Sequence, residues 1–228
     1  MRAAQNLGRF NGTVSVIDTR SNTVTATITV GATPCGVAVD AASHTAYVTN
    51  NGDGTVSVID TRTNTVTDTI KVAPESTAIA VDAASPTVYV TSYGDGTVSV
   101  IDTRTNATRR ITVGHACGVA VDGASHTAYV TNGDDGTVSV IDTRTNTVTA
   151  KITVGGGPLG IAVDEASRTA YVTNVNDGTV SVIDTRTNTV TATITVGKRP
   201  GGVAVDPTTG TVYVTNYNDG TMSVISAR

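Results

Sequence analysis

Apolar and polar positions alternate along this chain in short runs, and the runs recur. "TVTATITV" at Thr23–Val30 sets Val24, Ala26, Ile28 and Val30 against intervening Thr residues. That two-residue period predicts a strand with one wetter face. "TVSVID" at Thr55–Asp60 interleaves Val and Ile with Thr and Ser, as suits a strand packed on both faces. "GVAVD" at Gly36–Asp40 carries small and β-branched residues, fit for a crowded position, and "TAYVTN" follows at Thr45–Asn50. "DAASH", "NGDG" and "DTRTNT" separate the runs and consist of turn residues. The Asp53-Gly54 pair predicts a hairpin, because glycine takes the positive φ of a primed turn. No stretch has apolar positions at helical spacing.

These four runs make one unit, and the unit repeats. "GTV" or "GTM" begins at Gly12, Gly54, Gly96, Gly136, Gly178 and Gly220, at spacings of 42, 42, 40, 42 and 42. The "YVT" triplets at Tyr47, Tyr89, Tyr129, Tyr171 and Tyr213 keep the same rhythm. A fixed period of this size marks a solenoid, a propeller or an array. Four antiparallel strands in one such period form one propeller blade, so the sequence predicts an all-β β-propeller of four-stranded antiparallel blades.

"YVTN" followed by "GTVSVIDT" and a "TVTATITVG" run resembles the YVTN-type β-propeller repeat, over nearly the whole chain from Asn11 onwards. The resemblance implies an exported or cell-surface protein of microbial type, with ring closure by about seven blades. The strand count here departs from that. With the strands of a blade lettered A to D from the axis outwards, A, B and D occur five times and C six times. Four blades are continuous. The fifth is expected to be composite: strands in 12–31 complete the blade begun at 202–228, with Thr13–Asp18 and Thr221–Ser226 both candidates for its C slot. Joining the two ends in one blade leaves no open edge. The expectation is therefore a single domain over 1–228 with five blades, a monomer if the ring closes. The alternative is an open arc of a larger propeller, associating through its ends.

Composition narrows the partners. Net charge is −4, so no basic surface points to nucleic acid. Fifteen of the 19 acidic residues sit at three repeat-locked positions, the Asp18, Asp40 and Asp53 types. No apolar run approaches the ~20 residues of a membrane helix, which argues against membrane insertion. The opening "MRAAQNLGRF" has no apolar core of a secretion signal.

Nearly equal blades leave few places for a unique site, so the candidates lie where copies disagree. The D–A loops read "GATPCG", "APESTA", "GHACG", "GGGPLG" and "GKRPGG" and are expected at the axis mouth. One aligned position carries Thr33, Glu75, His115, Gly157 and Arg199, with Lys198 beside the last. Thr33, Glu75, His115, Lys198 and Arg199 are the candidate binding residues. Glu75, His115 and Arg199 are also candidates for acid–base chemistry on a small ligand. The simpler account is that exposed loops vary. Cys35 and Cys117 share a position in alternate blades, farther apart than the ~7 Å a disulfide spans, and are expected to be free thiols. His115 and Cys117 lie two apart, a spacing a thiol nucleophile could use, but no third orienting group is identifiable. Arg109 and Arg110 break the Thr/Val alternation beside a deletion, which fits either a docking surface or a solvated face.

Asp53, Asp95, Asp135, Asp177 and Asp219 stand in Asp-Gly turns and lack the alternating acids of a calcium loop, so turn geometry is their expected role and no metal or cofactor is predicted. His44 and His126 belong to A–B turns on the face opposite His115. No P-loop, GxSxG, HExxH or CxxC is present. The leading functional expectation is a non-enzymatic binding or structural module for protein or cell-surface contact, whose partner is an unidentified protein or small ligand. The alternative is a lactonase- or lyase-type enzyme at the axis mouth.

Overall fold

The structure is a computed structural model that describes residues 11–226; the opening segment read for a leader, residues 1–10, lies outside them. Every regular element among the described residues is a β-strand. The first hairpin is β1 (Asn11–Asp18) with β2 (Thr23–Ala32). The first blade is β3 (Pro34–Asp40), β4 (Thr45–Asn50), β5 (Thr55–Asp60) and β6 (Thr65–Lys71). The second is β7 (Ser76–Asp82), β8 (Thr87–Ser92), β9 (Thr97–Asp102) and β10 (Thr108–Thr112). The third is β11 (Ala116–Asp122), β12 (Thr127–Asn132), β13 (Thr137–Asp142) and β14 (Thr147–Thr153). The fourth is β15 (Pro158–Asp164), β16 (Thr169–Asn174), β17 (Thr179–Asp184) and β18 (Thr189–Thr195). The last sheet is β19 (Pro200–Val205), β20 (Val212–Asn216) and β21 (Thr221–Ile225). Each of the four complete sheets is antiparallel and ordered as in the sequence, as blades are.

The blades stack through their faces, with the inner strands β3, β7, β11, β15 and β19 side by side in that order. One face of the first blade, with Tyr47, Val56 and Ile70, meets the opposite face of the second, with Ile79, Val88, Val90 and Ile101. The second and third blades, and the third and fourth, repeat this core. The β1–β2 hairpin uses Ile28 and Val30 to cover Ala46, Val48 and Ile59 of the first blade.

Polar side chains fix the same joints. The Thr of each "YVT" sits at the seam between inner strands. Thr49 Oγ1 accepts from Gly36 N at 2.8 Å and donates to Thr77 O of the next blade at 2.9 Å. Thr131 does the same with Gly118 N and Leu159 O, both at 2.8 Å. Thr91 and Thr173 reach Cys117 O and Gly201 O at 2.7 and 2.8 Å. Gly118 lets the seam close, since a Cβ there would stand 2.4 Å from Leu159 O. Farther out, Tyr129 donates to Asn188 Oδ1 at 3.2 Å in the C–D turn of the next blade, and burial pushes its hydroxyl up to about 12. The repeat-locked Tyr of the second and third blades, Tyr89 and Tyr129, is thus a core residue with its hydroxyl bound to the neighbouring blade.

One detail departs from the alternation. Val24 does not share a face with Ala26, Ile28 and Val30. Val16 pairs with Ala26 but Ile17 pairs with Val24, so Thr25 is an extra residue, a β-bulge that turns Val24 to the other side. The same bulge recurs in the first, third and fourth blades. In the second blade the deletion in "TRTNATRRITV" has removed it, and β10 pairs with β9 without a break.

At the ends of the stack, β1 and β2 form a two-stranded sheet and β19–β21 a three-stranded one. Both candidate C strands are occupied, β1 against β2 and β21 against β20. A ladder joining the two end sheets into the expected composite blade is not among those of the described residues.

Candidate functional site

The D–A and B–C loops share one face of the stack. The aligned D–A residue of every blade receives a B–C backbone N–H. Thr33 O accepts from Asn51 N at 3.0 Å, Glu75 O from Tyr93 N at 3.3 Å and His115 O from Gly133 N at 2.9 Å. Gly157 O accepts from Val175 N and Arg199 O from Tyr217 N, both at 3.0 Å. The five candidate positions are therefore structurally equivalent. Thr33, Glu75, Gly157 and Arg199 also share a left-handed φ of 54°, 54°, 65° and 51°; in the shortened "GHACG" loop Gly114 takes it instead, at 132°.

The Asp of each hairpin turn reaches this face too. Asp53 Oδ2 accepts from Ala32 N at 2.6 Å, Asp177 from Gly156 N at 2.6 Å and Asp219 from Lys198 N at 2.7 Å. These carboxylates clamp the D–A loop to the B–C turn. In the second blade the clamped position is Pro74, which has no N–H to give. Asp95 there binds the Thr97 hydroxyl at 2.7 Å and the Arg110 guanidinium at 3.3 Å. Arg109 reaches Thr145 O of the third blade at 3.4 Å. The arginine pair beside the deletion is thus tied to its surroundings.

The candidate residues fall into two groups. His115 Nδ1 lies 3.1 Å from Asp134 Oδ2. Its ring lies 5.3 Å from that of Tyr93, tilted by 43°. Tyr93 donates to Asp134 Oδ1 at 3.1 Å; that bond, with the carboxylate charge, raises the phenol above its ordinary value. The Glu75 carboxylate packs on Gly94, the residue after Tyr93, and its charge adds to the same shift. Glu75, Tyr93, His115 and Asp134 therefore form one exposed cluster across the second and third blades. Arg199 is elsewhere: its guanidinium carbon stands 5.8 Å from the ring centre of the exposed Tyr217 in the last sheet. The Glu75–His115–Arg199 trio is two separate constellations, each built on a B–C tyrosine.

Tyr93, Asp134 and Tyr217 were the missed members. The signal was present in the B–C loops, "TSYGDG", "TNGDDG" and "TNYNDG", which disagree among copies as much as the D–A loops do. Cys35 and Cys117 are free thiols. Cys117 Sγ donates to His115 O at 3.5 Å, and burial pushes its pKa up. An activated thiol nucleophile needs the opposite shift. His44 and His126 lie on the other face, where their carbonyls accept from Thr61 and Thr143 of the C–D turns. Among the described residues no group of three or more His, Cys, Asp or Glu is arranged to hold a metal. No helix there is long and apolar enough to cross a membrane.

The sheets and their order define a propeller-like all-β repeat protein. No family model matches the chain, and no curated protein does. Among solved structures, it is similar to a functionally unknown protein from Desulfotomaculum acetoxidans, with 16% identity, a TM-score of 0.78, and coverage of 94% of this chain and 75% of that one. It is also similar to the hydrazine synthase of Kuenenia stuttgartiensis, with 18% identity, a TM-score of 0.61, and coverage of 94% and 89%. At such identities the likeness is one of fold.

Proposed function

We propose that this protein is a non-enzymatic interaction module whose recognition face is the one carrying the D–A and B–C loops. The observation that carries this reading is the division of labour among side chains. Repeat-locked Thr, Tyr and Asp hold blades and turns together. The residues released from the repeat, Glu75, Tyr93, His115, Asp134, Arg199 and Tyr217, gather on one face. Exposed tyrosines flanked by charges suit protein or small-ligand contact. The resemblance of the repeat to surface-displayed propellers supports the same reading. A composite blade of β19–β20 with β1–β2 also fits this reading, because together they supply strands A to D. Lactonase or lyase chemistry at the mouth draws less support: Arg199 is committed to Tyr217, and Cys117 is held protonated.

The test is covalent capture of binders from cells of the source organism, with the protein compared to variants. Tyr93→Ala with Asp134→Ala is expected to abolish capture of the specific binder, and His44→Ala with His126→Ala to leave it intact. Loss of capture in the second pair alone would move the recognition face. Turnover of a lactone by the intact protein that vanishes in His115→Ala would overturn the non-enzymatic reading.

A further inference from the structure

The two ends of the stack expose surfaces that every interior joint buries. At the leading end, Val37 and Val39 of β3 are each 60% exposed, whereas Val119, in the place of Val37 in the third blade, is 9% exposed. Ile17 and Val24 of the hairpin are exposed on the same side. At the trailing end, Tyr213, Met222 and Val224 are exposed. They correspond to Tyr47, Val56 and Val58, which pack against the second blade. The seam hydrogen bond is likewise divided between the ends. Thr215 Oγ1 accepts from Gly202 N at 2.9 Å, as its equivalents do. Its recorded donation, at 3.4 Å, goes back to Gly202 O rather than forward to a next blade. The backbone carbonyl of Cys35 holds the place of Thr77 O, Cys117 O, Leu159 O and Gly201 O in the other blades, where a preceding Thr donates to it. One end thus carries the seam donor and its apolar partners, and the other carries the matching acceptor and valines.

We propose that these ends are a head-to-tail interface between two copies of this chain: β19–β20 of one copy docks against β3 of the other, beside its β1–β2 hairpin. Thr215 of one copy meets the Cys35 carbonyl of the other, and Tyr213 covers Val37 and Val39. The joint reproduces one already made four times between the chain's own inner strands. The second copy, rather than the chain's own far end, is the occupant because both ends are open while each terminal piece is paired in its own sheet. The two C strands compete for one slot: β1 reads "TVSVID" and β21 reads "TMSVI", so β20 exchanges β21 for the incoming β1 with little change in its ladder. The contact is heterologous and leaves one free end of each kind on the pair, so association continues with concentration.

Light scattering on the full chain over a hundredfold concentration range tests this. The expected mass rises from that of one copy through two and beyond. Val39→Asp blocks the leading end and Tyr213→Asp, on β20, the trailing end, and both sites are exposed in the single copy. Val37→Lys and Thr215→Lys serve as second variants should either fail to fold by circular dichroism. Each blocked variant alone is expected to stay at the mass of one copy, and an equimolar mixture of the two to reach a twofold mass. A single-copy mass for the unmodified chain at every concentration would overturn the proposal in favour of closure within one chain. So would association that survives in either variant alone, or a mixture that fails to pair. Amide exchange at Thr221–Ile225 is expected to quicken on association; retained protection there would overturn the strand exchange.

Discussion

At the scale of single residues, the most consequential side chain is the threonine of "YVT". Thr131 is fully buried, and its hydroxyl satisfies one donor and one acceptor in the backbones of two blades. Thr131→Val keeps the shape and removes both bonds, leaving Gly118 N and Leu159 O without their partner. Buried groups orphaned in this way cost about 1–3 kcal/mol. The expected loss in urea unfolding is therefore about 2 kcal/mol. Thr215→Val, measured on dilute protein, is expected to cost clearly less, because its hydroxyl serves no second blade there. Equal losses at the two positions would mean that the inter-blade bond contributes nothing. The threonine's importance was only half legible in the sequence. Its invariance is visible there, but β-branched residues also recur for strand propensity alone, and only the close approach of two inner strands reveals the bridge.

At the scale of elements, the strands and their boundaries were legible because each run is short, alternating and fenced by turn residues. "TAYVTN" and "TVSVID" became β4 and β5 without a shift. The bulge was not legible: it needs the register of two strands, and an alternating run reads the same with or without Thr25 as the extra residue. The clamp between loops was hidden for the same reason. An Asp-Gly pair announces its own hairpin, but nothing local says that the carboxylate also holds the loop 21 residues earlier. This clamp gives an element-level prediction. Asp177→Ala removes the acceptor of Gly156 N and is expected to destabilise by about 1 kcal/mol, the net value of an ordinary hydrogen bond. Asp95→Ala, opposite Pro74, loses only an exposed pair with Arg110 and a contact to Thr97, and is expected to cost about half as much or less. Denaturation midpoints in the opposite order would sink the clamp. The candidate site divides similarly. His115 and Glu75 were found because D–A copies disagree, whereas Tyr93 and Asp134 stand on a loop that only the folded chain brings to the same face.

At the scale of the whole molecule, repetition turns a small local effect into a global one. Asp18, Asp60, Asp102 and Asp142 are held below the usual carboxylate range chiefly by backbone N–H groups of their own C–D turns. Asp184 is held low first by the Arg186 guanidinium. Asp40 is lowered mainly by the Ser43 hydroxyl, and Asp206 is brought down to about 2, with the Thr208 hydroxyl as the leading cause. A carboxyl whose folded pKa lies below its unfolded value near 3.9 stabilises the fold fully above that value. The stabilisation is lost as pH falls through the folded pKa, because the unfolded chain then binds the proton more tightly. These groups lie at the surface, some of them half-buried, so solvent screens each and each contributes little. They are nevertheless copies of two turns, the C–D turn and the A–B turn, spread over the stack, and they titrate in the same direction over the same window. The urea midpoint is therefore expected to hold steady from pH 8 to pH 5 and to fall continuously between pH 4 and pH 2. Asp206→Asn is expected to remove only its own share of that fall, with the other turns unaffected. A midpoint that stays flat down to pH 2 would show that the turn hydrogen bonds persist in the unfolded chain, and that the acidity built into the repeat has no bearing on its stability.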